Sequence, residues 1–442
     1  MQRIAPGPDR SRRRKPEIRF RSAWHLCLAL MLALFGRDVA AARTTVVHMS
    51  ADHGLPFYNY LRERAEIFER LNPDIDIVIE TASGNYTEAV QVRLATNVQV
   101  NVLDSTHSFM VFAIQGLLAD LRPYLERDGV DILGSIPSFA LDVLGHGDAI
   151  LGLPSQIYHV GAVYNRTLLE ENGLTALAAI GDEWSWRWLE EQGRKLVRDH
   201  NGDGAADQFA AAFSTSFINM DPFVHQAGGM FYDRYLAPTE SRFDSEEVRV
   251  GLGFVVDLFQ SGLATGLNTP NFFRNRSAAV SLYGVPPQIE YIRESIDEFE
   301  VTTQPLGPVR RGGHTYFGPY HIVRSGDPAQ DQAAYRWVRF LALDADSQVA
   351  MMEATGRLPI YLPVLRDLGS YLGSYPERDQ EFFIAFAHVA VHPDNFPHYL
   401  TPAEPAISRA FNTGFADVLN GRESLTNFLI TMHSLVQVEL NR

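Results

Sequence analysis

The sequence is poor in cysteine and in lysine. Its single cysteine, Cys27, lies inside an apolar run near the start, so no thiol follows it. This excludes disulfide bonds, thiol catalysis and cysteine-ligated metals in the rest of the chain. Lys195 is the only lysine after residue 42, and no run of basic residues occurs there. Binding to nucleic acid or to an anionic membrane surface is therefore disfavoured.

The sequence also lacks the short motifs of several enzyme classes. It contains no H-E-x-x-H pair, no G-x-S-x-G nucleophile elbow and no Gly-rich phosphate-binding loop followed by lysine. A glycosidase needs two converging carboxylates, and the acidic residues are too numerous to single out a pair. A secreted hydrolase or lyase is therefore only a remaining alternative.

Residues 1–42 differ in composition from the rest of the chain. Basic residues come first, an apolar run follows from Leu26 to Phe35, and small residues end the segment at Ala40–Ala42. This order is typical of a secretory signal peptide, and the apolar run is too short to span a bilayer. We predict a signal peptide over 1–42, cleavage after Ala42 and location in the periplasm. Arg12–Arg14 leaves twin-arginine export as an alternative route.

Removal of this leader makes the chain strongly acidic. Residues 1–42 hold nine of the 38 basic residues and three of the 53 acidic residues, which leaves a formal charge of −21 on the mature chain. We interpret this charge as a solubilising surface. About 400 remaining residues exceed what one hydrophobic core usually supports, so two domains are expected.

Alternating strand and helix patterns follow the leader and predict an α/β layer. The strand patterns are Thr44–Met49, Ile75–Ile79 and Val98–Leu103, and helix patterns lie between them, the second around Tyr86–Ala95. This order indicates a mainly parallel sheet, whose ligands lie beyond the carboxyl ends of the strands. His53 and the loop Ser105–His107 follow such strands, so we expect them to face a cleft.

The segment Leu151–Asn165 is the most informative part of the chain. It begins as an apolar run broken by glycine and proline, continues through Gln156 and Tyr158, and ends in a second apolar strand. A chain that crosses between two domains with such polar and aromatic side chains at the crossing indicates a ligand cleft at a hinge.

This segment resembles a signature of bacterial extracellular solute-binding proteins of the sugar-binding type. Further segments resemble motifs of the same family in the same order: Trp184–Leu189, Ala278–Gly284, Phe299–Pro308, residues 331–343 and Met351–Pro359. The resemblance covers almost the whole chain after the leader. One departure is that Val98–Asn101 stands where the family usually has Gly-x-Pro-Asp.

The resemblance implies an α/β, two-lobed periplasmic-binding-protein fold, with three interlobe crossings and a ligand cleft between the lobes. We assign 43–153 plus 305–354 to lobe 1, and 154–304 plus 355–442 to lobe 2. The implied function is that of a maltose-binding-protein-like receptor, which is not an enzyme and needs no catalytic cofactor. It would capture a carbohydrate or polyol by hinge closure and deliver it to the inner-membrane permease of an ABC importer. The alternative on the same scaffold is a glycerol-phosphate-type ester.

Ten residues at or near crossings and strand ends are the candidate ligand contacts. Aromatic rings suit the C–H faces of a sugar, and planar polar groups suit paired hydroxyl groups. The set is Tyr58, Gln156, Tyr158, Phe217, Asn219, Tyr283, Gly284, Tyr316, Gly318 and Arg357. Guanidinium groups at Arg310, Arg311 and Arg357 would bind the phosphate of an ester.

The loop Asp199–Asp207 resembles a calcium-binding loop. Side-chain oxygens occupy positions 1, 3, 5 and 9, Gly204 occupies position 6, and a backbone carbonyl can serve position 7. We predict a structural calcium ion held by Asp199, Asn201, Asp203, Ala205 and Asp207. Ala210 stands where a glutamate is expected, so a solvated turn built on Asn-Gly and Asp-Gly is the alternative.

Overall fold

A computed structural model describes residues 43–82, 85–104, 109–146 and 148–442. The predicted signal peptide and the loop Ser105–His107 lie outside the described residues, and both stay predictions. Within the described ranges, no helix combines the length and the apolar character needed to cross a membrane.

Strands and helices alternate over much of the chain. The strands are β1 (Thr44–Ser50), β2 (Ile75–Thr81), β3 (Val102–Asp104), β4 (Gly145–His146), β5 (Ala149–Ile150), β6 (Tyr158–His159), β7 (Gly161–Asn165), β8 (Phe209–Phe213), β9 (Ala264–Gly266), β10 (Ala278–Gly284), β11 (Phe299–Thr302), β12 (His314–Tyr316), β13 (Tyr320–Ile322) and β14 (Phe396–Pro397). The α-helices are Leu55–Leu71, Tyr86–Ala95, Phe109–Ile114, Arg122–Arg127, Ile132–Ser135, Ser138–Leu144, Arg166–Glu171, Trp186–Glu191, Phe217–Gln226, Glu246–Gln260, Thr269–Asn275, Ile289–Glu294, Pro328–Leu343, Ala345–Thr355, Leu362–Arg366, Glu377–Ala390, Glu404–Leu419 and Leu425–Leu440.

The first sheet has the strand order β13-β3-β1-β2, and β1 pairs in parallel with both β2 and β3. The predicted α/β layer is therefore confirmed. The third strand is shorter than the pattern Val98–Leu103 predicted, because at Asn101 a side-chain oxygen takes the place of a backbone carbonyl in the pairing with β1. Its Oδ1 accepts the N–H of Val47 at 2.9 Å, and Val98 remains exposed.

The helix Leu55–Leu71 covers this sheet with the face that its sequence spacing predicts. Leu61, Ala65 and Phe68 are buried, and the Phe68 ring lies 5.2 Å from that of Trp337. Burial of a leucine or phenylalanine side chain, such as Leu61 or Phe68, contributes about 1.5–3 kcal/mol to the free energy of unfolding. The helix ends at Asn72, whose backbone N–H and side-chain amide both donate to the carbonyl of Phe68 at 2.8 Å.

The second sheet has the strand order β11-β7-β10-β8-β9 and its own core. The outer pair β8 and β9 is parallel to β10, whereas β7 runs antiparallel to both β10 and β11. Fully buried aromatic side chains, including Trp184, Phe217 and Phe411, pack beside it. Each sheet thus has an apolar cluster of its own, and a further cluster contains residues of both sheets, such as Leu103 and Val163.

A short third sheet, which we call the linking sheet, has the order β14-β12-β6. It pairs Tyr158 with Tyr316, and a nearby bridge joins Ile157 to Leu358. The predicted crossing Leu151–Asn165 therefore contacts the predicted crossing Met351–Pro359. It also contacts the predicted crossing Phe299–Pro308, where Nε2 of Gln304 donates to the carbonyl of Gly161 at 2.9 Å.

The buried amide of Gln348 adds a further link between these segments. Its Nε2 donates to the carbonyls of Ser155 and Leu341 at 2.9 Å, and its Oε1 accepts the N–H of Ile360 at 2.8 Å. One side chain thus connects the segment Leu151–Asn165, the helix Pro328–Leu343 and the chain just after the segment Met351–Pro359.

Gly313 occupies the most crowded position beside the linking sheet, since an added Cβ would lie 2.0 Å from the carbonyl oxygen of Val160. We expect Gly313→Ala to lower the free energy of unfolding by about 1–3 kcal/mol, as overpacking does. Urea unfolding followed by circular dichroism measures this change. Gly373→Ala is the control, because its Cβ would contact nothing within 4 Å. Equal effects of the two substitutions would contradict the crowding.

His321 on β13 is a buried imidazole that stays neutral. Its Nδ1–H donates to the carbonyl of Leu151 at 2.8 Å, and its ring stacks on Phe109 at 4.3 Å. Burial lowers the pKa of His321 to about 4. The unfolded chain binds a proton at this residue near its ordinary pKa of about 6.5, so the protein loses stability as pH falls through this range.

We therefore expect His321→Gln to flatten the dependence of unfolding free energy on pH between about pH 6 and pH 4.5. Removal of one such group reduces the slope by up to about 1.4 kcal/mol per pH unit. Urea unfolding at a series of pH values measures the slope. His200→Gln, at an exposed position, serves as the control and should leave the slope unchanged. An unchanged slope in His321→Gln would show that this imidazole is protonated in the folded protein.

Candidate functional site

A cavity of about 350 Å³, the main cavity, lies where several distant segments meet. Its wall includes the start of the helix Leu55–Leu71, Tyr158 on β6, the segment after β10 and residues 352–357. A side cavity of about 300 Å³ begins beyond the carboxyl ends of β1 and β2 and shares His53 and Phe57 with the main cavity. This is the position at which a parallel sheet is expected to hold a ligand.

Three predicted contacts lie on the cavity walls. Tyr158 and Arg357 line the main cavity, and Tyr58 lines the side cavity. Gln156 is buried behind them, and its Oε1 accepts a hydrogen bond from Nη1 of Arg357 at 3.0 Å. Gly318 has a φ of +51° and approaches this amide so closely that an added Cβ would lie 3.0 Å from Nε2 of Gln156. The glycine therefore leaves room for Gln156.

Tyr158, Tyr283 and Tyr316 form a cluster of phenols next to the main cavity. The rings of Tyr158 and Tyr316 lie 6.1 Å apart, edge to face. Burial raises the pKa of Tyr158, and the neighbouring Tyr283 raises it further. Its hydroxyl group therefore stays protonated at neutral pH and can both donate and accept a hydrogen bond.

Seven of the ten predicted contacts line neither cavity. Gln156, Tyr283, Tyr316 and Gly318 lie next to the lining residues, whereas Phe217, Asn219 and Gly284 belong to other parts of the fold. Phe217 is fully buried in the core of the second sheet, where its ring contacts Phe231 and Phe411. Asn219 donates from Nδ2 to the Oγ of Ser216 at 2.8 Å. Gly284 packs against β7, since an added Cβ would lie 2.6 Å from Cγ2 of Val163. An aromatic or small residue near a strand end suits a core as well as a cleft, so the sequence could not separate these cases.

A buried carboxylate that the sequence reading missed stands behind the cavities. Asp104 ends β3, and its Oδ1 accepts the N–H of Ala51 at 2.6 Å. Nε2 of His48 lies 3.3 Å from Oδ2, and Nε2 of His53 lies 3.4 Å from Oδ1. We call Asp104, His48, His53 and Trp337 the Asp104 network. The available signal was its place at the carboxyl end of a predicted strand.

Hydrogen bonding orients the Asp104 network. Nε1–H of Trp337 donates to Nδ1 of His48 at 3.1 Å, which leaves Nε2 of His48 to face Asp104 as the N–H donor. Burial raises the pKa of Asp104, whereas the contacts with His48 and His53 lower it and prevail. Asp104 is therefore ionised, and His53, as the sequence predicted, faces the cleft.

The predicted calcium loop is an exposed turn with many internal hydrogen bonds. Asp199 accepts the N–H groups of Gly202 at 2.6 Å and Gly204 at 2.9 Å, and these bonds lower its pKa. Asp207 accepts the N–H of His200 at 2.9 Å. Among the described residues, no three His, Asp or Glu side chains converge to hold a metal ion. Ala210 is fully buried and offers no side-chain oxygen.

Comparison with protein families gives a match over residues 50–348, to the model of the bacterial extracellular solute-binding proteins. The chain belongs to this family. Comparison with curated protein sequences found no match. Members of the family are binding proteins and not enzymes, and the family name indicates an extracellular or periplasmic location.

Solved structures of solute-binding proteins share the fold. The ABC substrate-binding protein Lmo0181 from Listeria monocytogenes, in complex with cycloalternan, has 18% identity and a TM-score of 0.71, over 90% of this chain and 99% of that chain. The sugar-binding protein MalE from Xanthomonas citri has 18% identity and a TM-score of 0.71, over 90% and 98%. UgpB from Mycobacterium tuberculosis, in complex with glycerophosphocholine, has 17% identity and a TM-score of 0.69, over 90% and 98%.

The predicted two-lobed α/β fold of this family is thereby confirmed. The residue ranges assigned to the lobes and the number of crossings stay predictions. So do the individual ligand contacts of this solute-binding protein and its calcium ion.

Calcium binding to Asp199–Asp207 can be measured directly. We expect isothermal titration of chelator-treated protein with calcium chloride to reveal one site per chain, because the loop concentrates carboxylate and carbonyl oxygens. The substitution Asp203→Asn should weaken this binding, whereas Asp257→Asn, on an exposed helix face, should leave it unchanged. Absence of any calcium-dependent heat would show that the turn is held by its own hydrogen bonds.

Proposed function

We propose that this protein is the substrate-binding receptor of an ABC importer and captures a carbohydrate or polyol in the main cavity. Family membership and the fold support the receptor role. The observation that carries the ligand class is the lining of the main cavity, where Tyr158 and Arg357 stand beside Phe57. Aromatic faces and polar groups at one cavity wall are what recognition of a polyhydroxylated solute requires.

The polar groups at this wall are oriented before a solute arrives. Nη1 of Arg357 donates a hydrogen bond to Oε1 of Gln156. The Nε2 group of the same amide is therefore directed away from Arg357. Tyr158 remains a phenol able to donate or accept. Such fixed groups spare the solute the entropic cost of ordering them.

Binding would act through the equilibrium between open and closed forms. Segments of the chain that belong to both sheets reach the main cavity, so a bound solute contacts both and stabilises the closed form by its higher affinity for it. The closed form would then present surfaces of both lobes to the inner-membrane permease. No bond of the solute is made or broken in this cycle.

Two alternatives differ in what they require. A glycerol-phosphate-type ester would use the same scaffold and needs a cation in the cavity, which Arg357 provides. A hydrolase or lyase needs groups that act on a bond, and family membership favours a binding protein instead. Recovery of an unchanged solute after incubation with the protein distinguishes binding from turnover.

A thermal-shift screen of sugars, polyols and their phosphates tests the receptor role, followed by isothermal titration of each solute that binds. A solute at a hundred times its Kd should add about 2.7 kcal/mol to the free energy of unfolding and raise the melting temperature. Tyr158→Ala should weaken binding roughly tenfold or more. Tyr371→Ala is the matched control, because Tyr371 lines neither cavity and is not a predicted contact. If no solute in the screen raised the melting temperature, the receptor role would be refuted.

A further inference from the structure

We infer that the main cavity contains an oxyanion-binding corner formed by Arg357, so that the solute is a polyhydroxylated compound carrying a carboxylate or phosphate group. This inference rests on the proposed receptor function and narrows its substrate class. It depends on three observations: the partners of Arg357, its contact with Phe57 at the start of a helix, and the acidic residues that line the same cavity.

Arg357 is a largely buried cation without a carboxylate partner. Its guanidinium donates from Nη1 to the neutral amide of Gln156 at 3.0 Å, and it forms no ion pair with an acidic side chain among the described residues. Burial lowers the pKa of Arg357, which reflects the cost of keeping this charge away from water. A buried cation normally has an anionic partner, and in a chain with this excess of acids the missing partner indicates a site for an anion from outside.

The other arginine that lines the main cavity, Arg293, does have an acidic partner. Arg293 forms an ion pair with the buried carboxylate of Asp379, with Nη2 2.6 Å from Oδ2. Its charge is therefore already balanced within the protein. Arg357 instead lies next to Phe57 and has no acidic partner among the described residues, so its guanidinium is left for a ligand.

His53 is held at this corner by the Asp104 network. Its Nε2 faces Asp104 at 3.4 Å inside the wall, while the residue lines both cavities. The Asp104 carboxylate already has His48, His53 and the N–H of Ala51 as partners, so it is not the counter-ion of Arg357.

Phe57 contacts both Arg357 and His53. The His53 ring lies 4.8 Å from the Phe57 ring at an interplanar angle of 72°, and Cζ of Arg357 lies 5.8 Å from the centre of the same ring. Phe57 also belongs to the helix Leu55–Leu71, whose first turn contains no acidic residue. The positive end of this helix dipole therefore adds to the potential at the corner.

Two exposed acidic residues, Glu290 and Glu353, also line the main cavity. Glu290 lies on the segment after β10, and Glu353 lies four residues before Arg357 on the segment 352–357. A solute that places its anionic group at Arg357 would direct hydroxyl groups toward these carboxylates. A ligand with an oxyanion at one end and hydroxyl groups along its length matches this distribution.

Isothermal titration with matched sets of solutes tests the inference. The probes are D-glucose, D-glucuronate and D-glucose 6-phosphate; D-galactose and D-galacturonate; and glycerol and sn-glycerol 3-phosphate. We expect an acidic member to bind at least about tenfold more tightly than its neutral counterpart, as a charge-assisted hydrogen bond provides. This preference should weaken with rising salt. The comparison of glucuronate with glucose 6-phosphate identifies the anion as carboxylate or phosphate.

Variants assign the effect to the corner. Arg357→Gln should reduce affinity for the acidic solute roughly 10- to 100-fold, and Arg357→Lys should restore part of it because the charge is kept. Arg187→Gln, at an exposed arginine outside both cavities, is the control and should leave the affinity for the acidic solute unchanged. Thermal unfolding of each variant without ligand verifies that it folds.

The outcomes separate this inference from the receptor function. If the wild-type protein binds neutral and acidic partners equally, and Arg357→Gln weakens both by the same factor, the oxyanion corner is refuted while the receptor role stands. If no solute of any set binds, both the corner and the proposed capture of small polyhydroxylated solutes are overturned.

Discussion

The carboxylate of Asp104 is the constraint on which the cleft depends. An ionised group this deeply buried must be compensated by the protein, and its partners come from the loop after β1 and from β1 itself. These contacts fix where the chain leaves the first sheet and where the helix Leu55–Leu71 begins. The position of Phe57, and with it the cavity wall, therefore depends on the buried charge of Asp104.

Regular patterns in the sequence predicted the scaffold well. Apolar residues at helical spacing, such as Leu61, Ala65 and Phe68, were buried as expected, and Ala278–Gly284 forms the predicted strand. Local periodicity carries this information because each element must bury one face. Where a side chain substituted for the backbone, as Asn101 does beside β1, the strand was shorter than its apolar pattern suggested.

The site was predicted only in part, because its members are brought together by contacts between distant segments. The crossing motif located Gln156 and Tyr158, and Arg357 follows from another crossing motif, but their hydrogen bond and the lining of one cavity are visible only in the fold. The same motif-based reading included Phe217, whose burial is decided by aromatic neighbours far along the chain. Spacing along the sequence holds no information on such partners.

Gln348 shows how strongly a single position can restrict sequence change. Its amide uses both kinds of hydrogen-bonding group at once, donating to Ser155 and Leu341 and accepting from Ile360. No single-base change of a glutamine codon yields another side chain with two amide donors and an acceptor oxygen at that length. Every single-base substitution at this codon that changes the amino acid therefore removes at least one of these hydrogen bonds. We expect the contacts between the crossing segments to restrict sequence change at Gln348 more than at exposed positions.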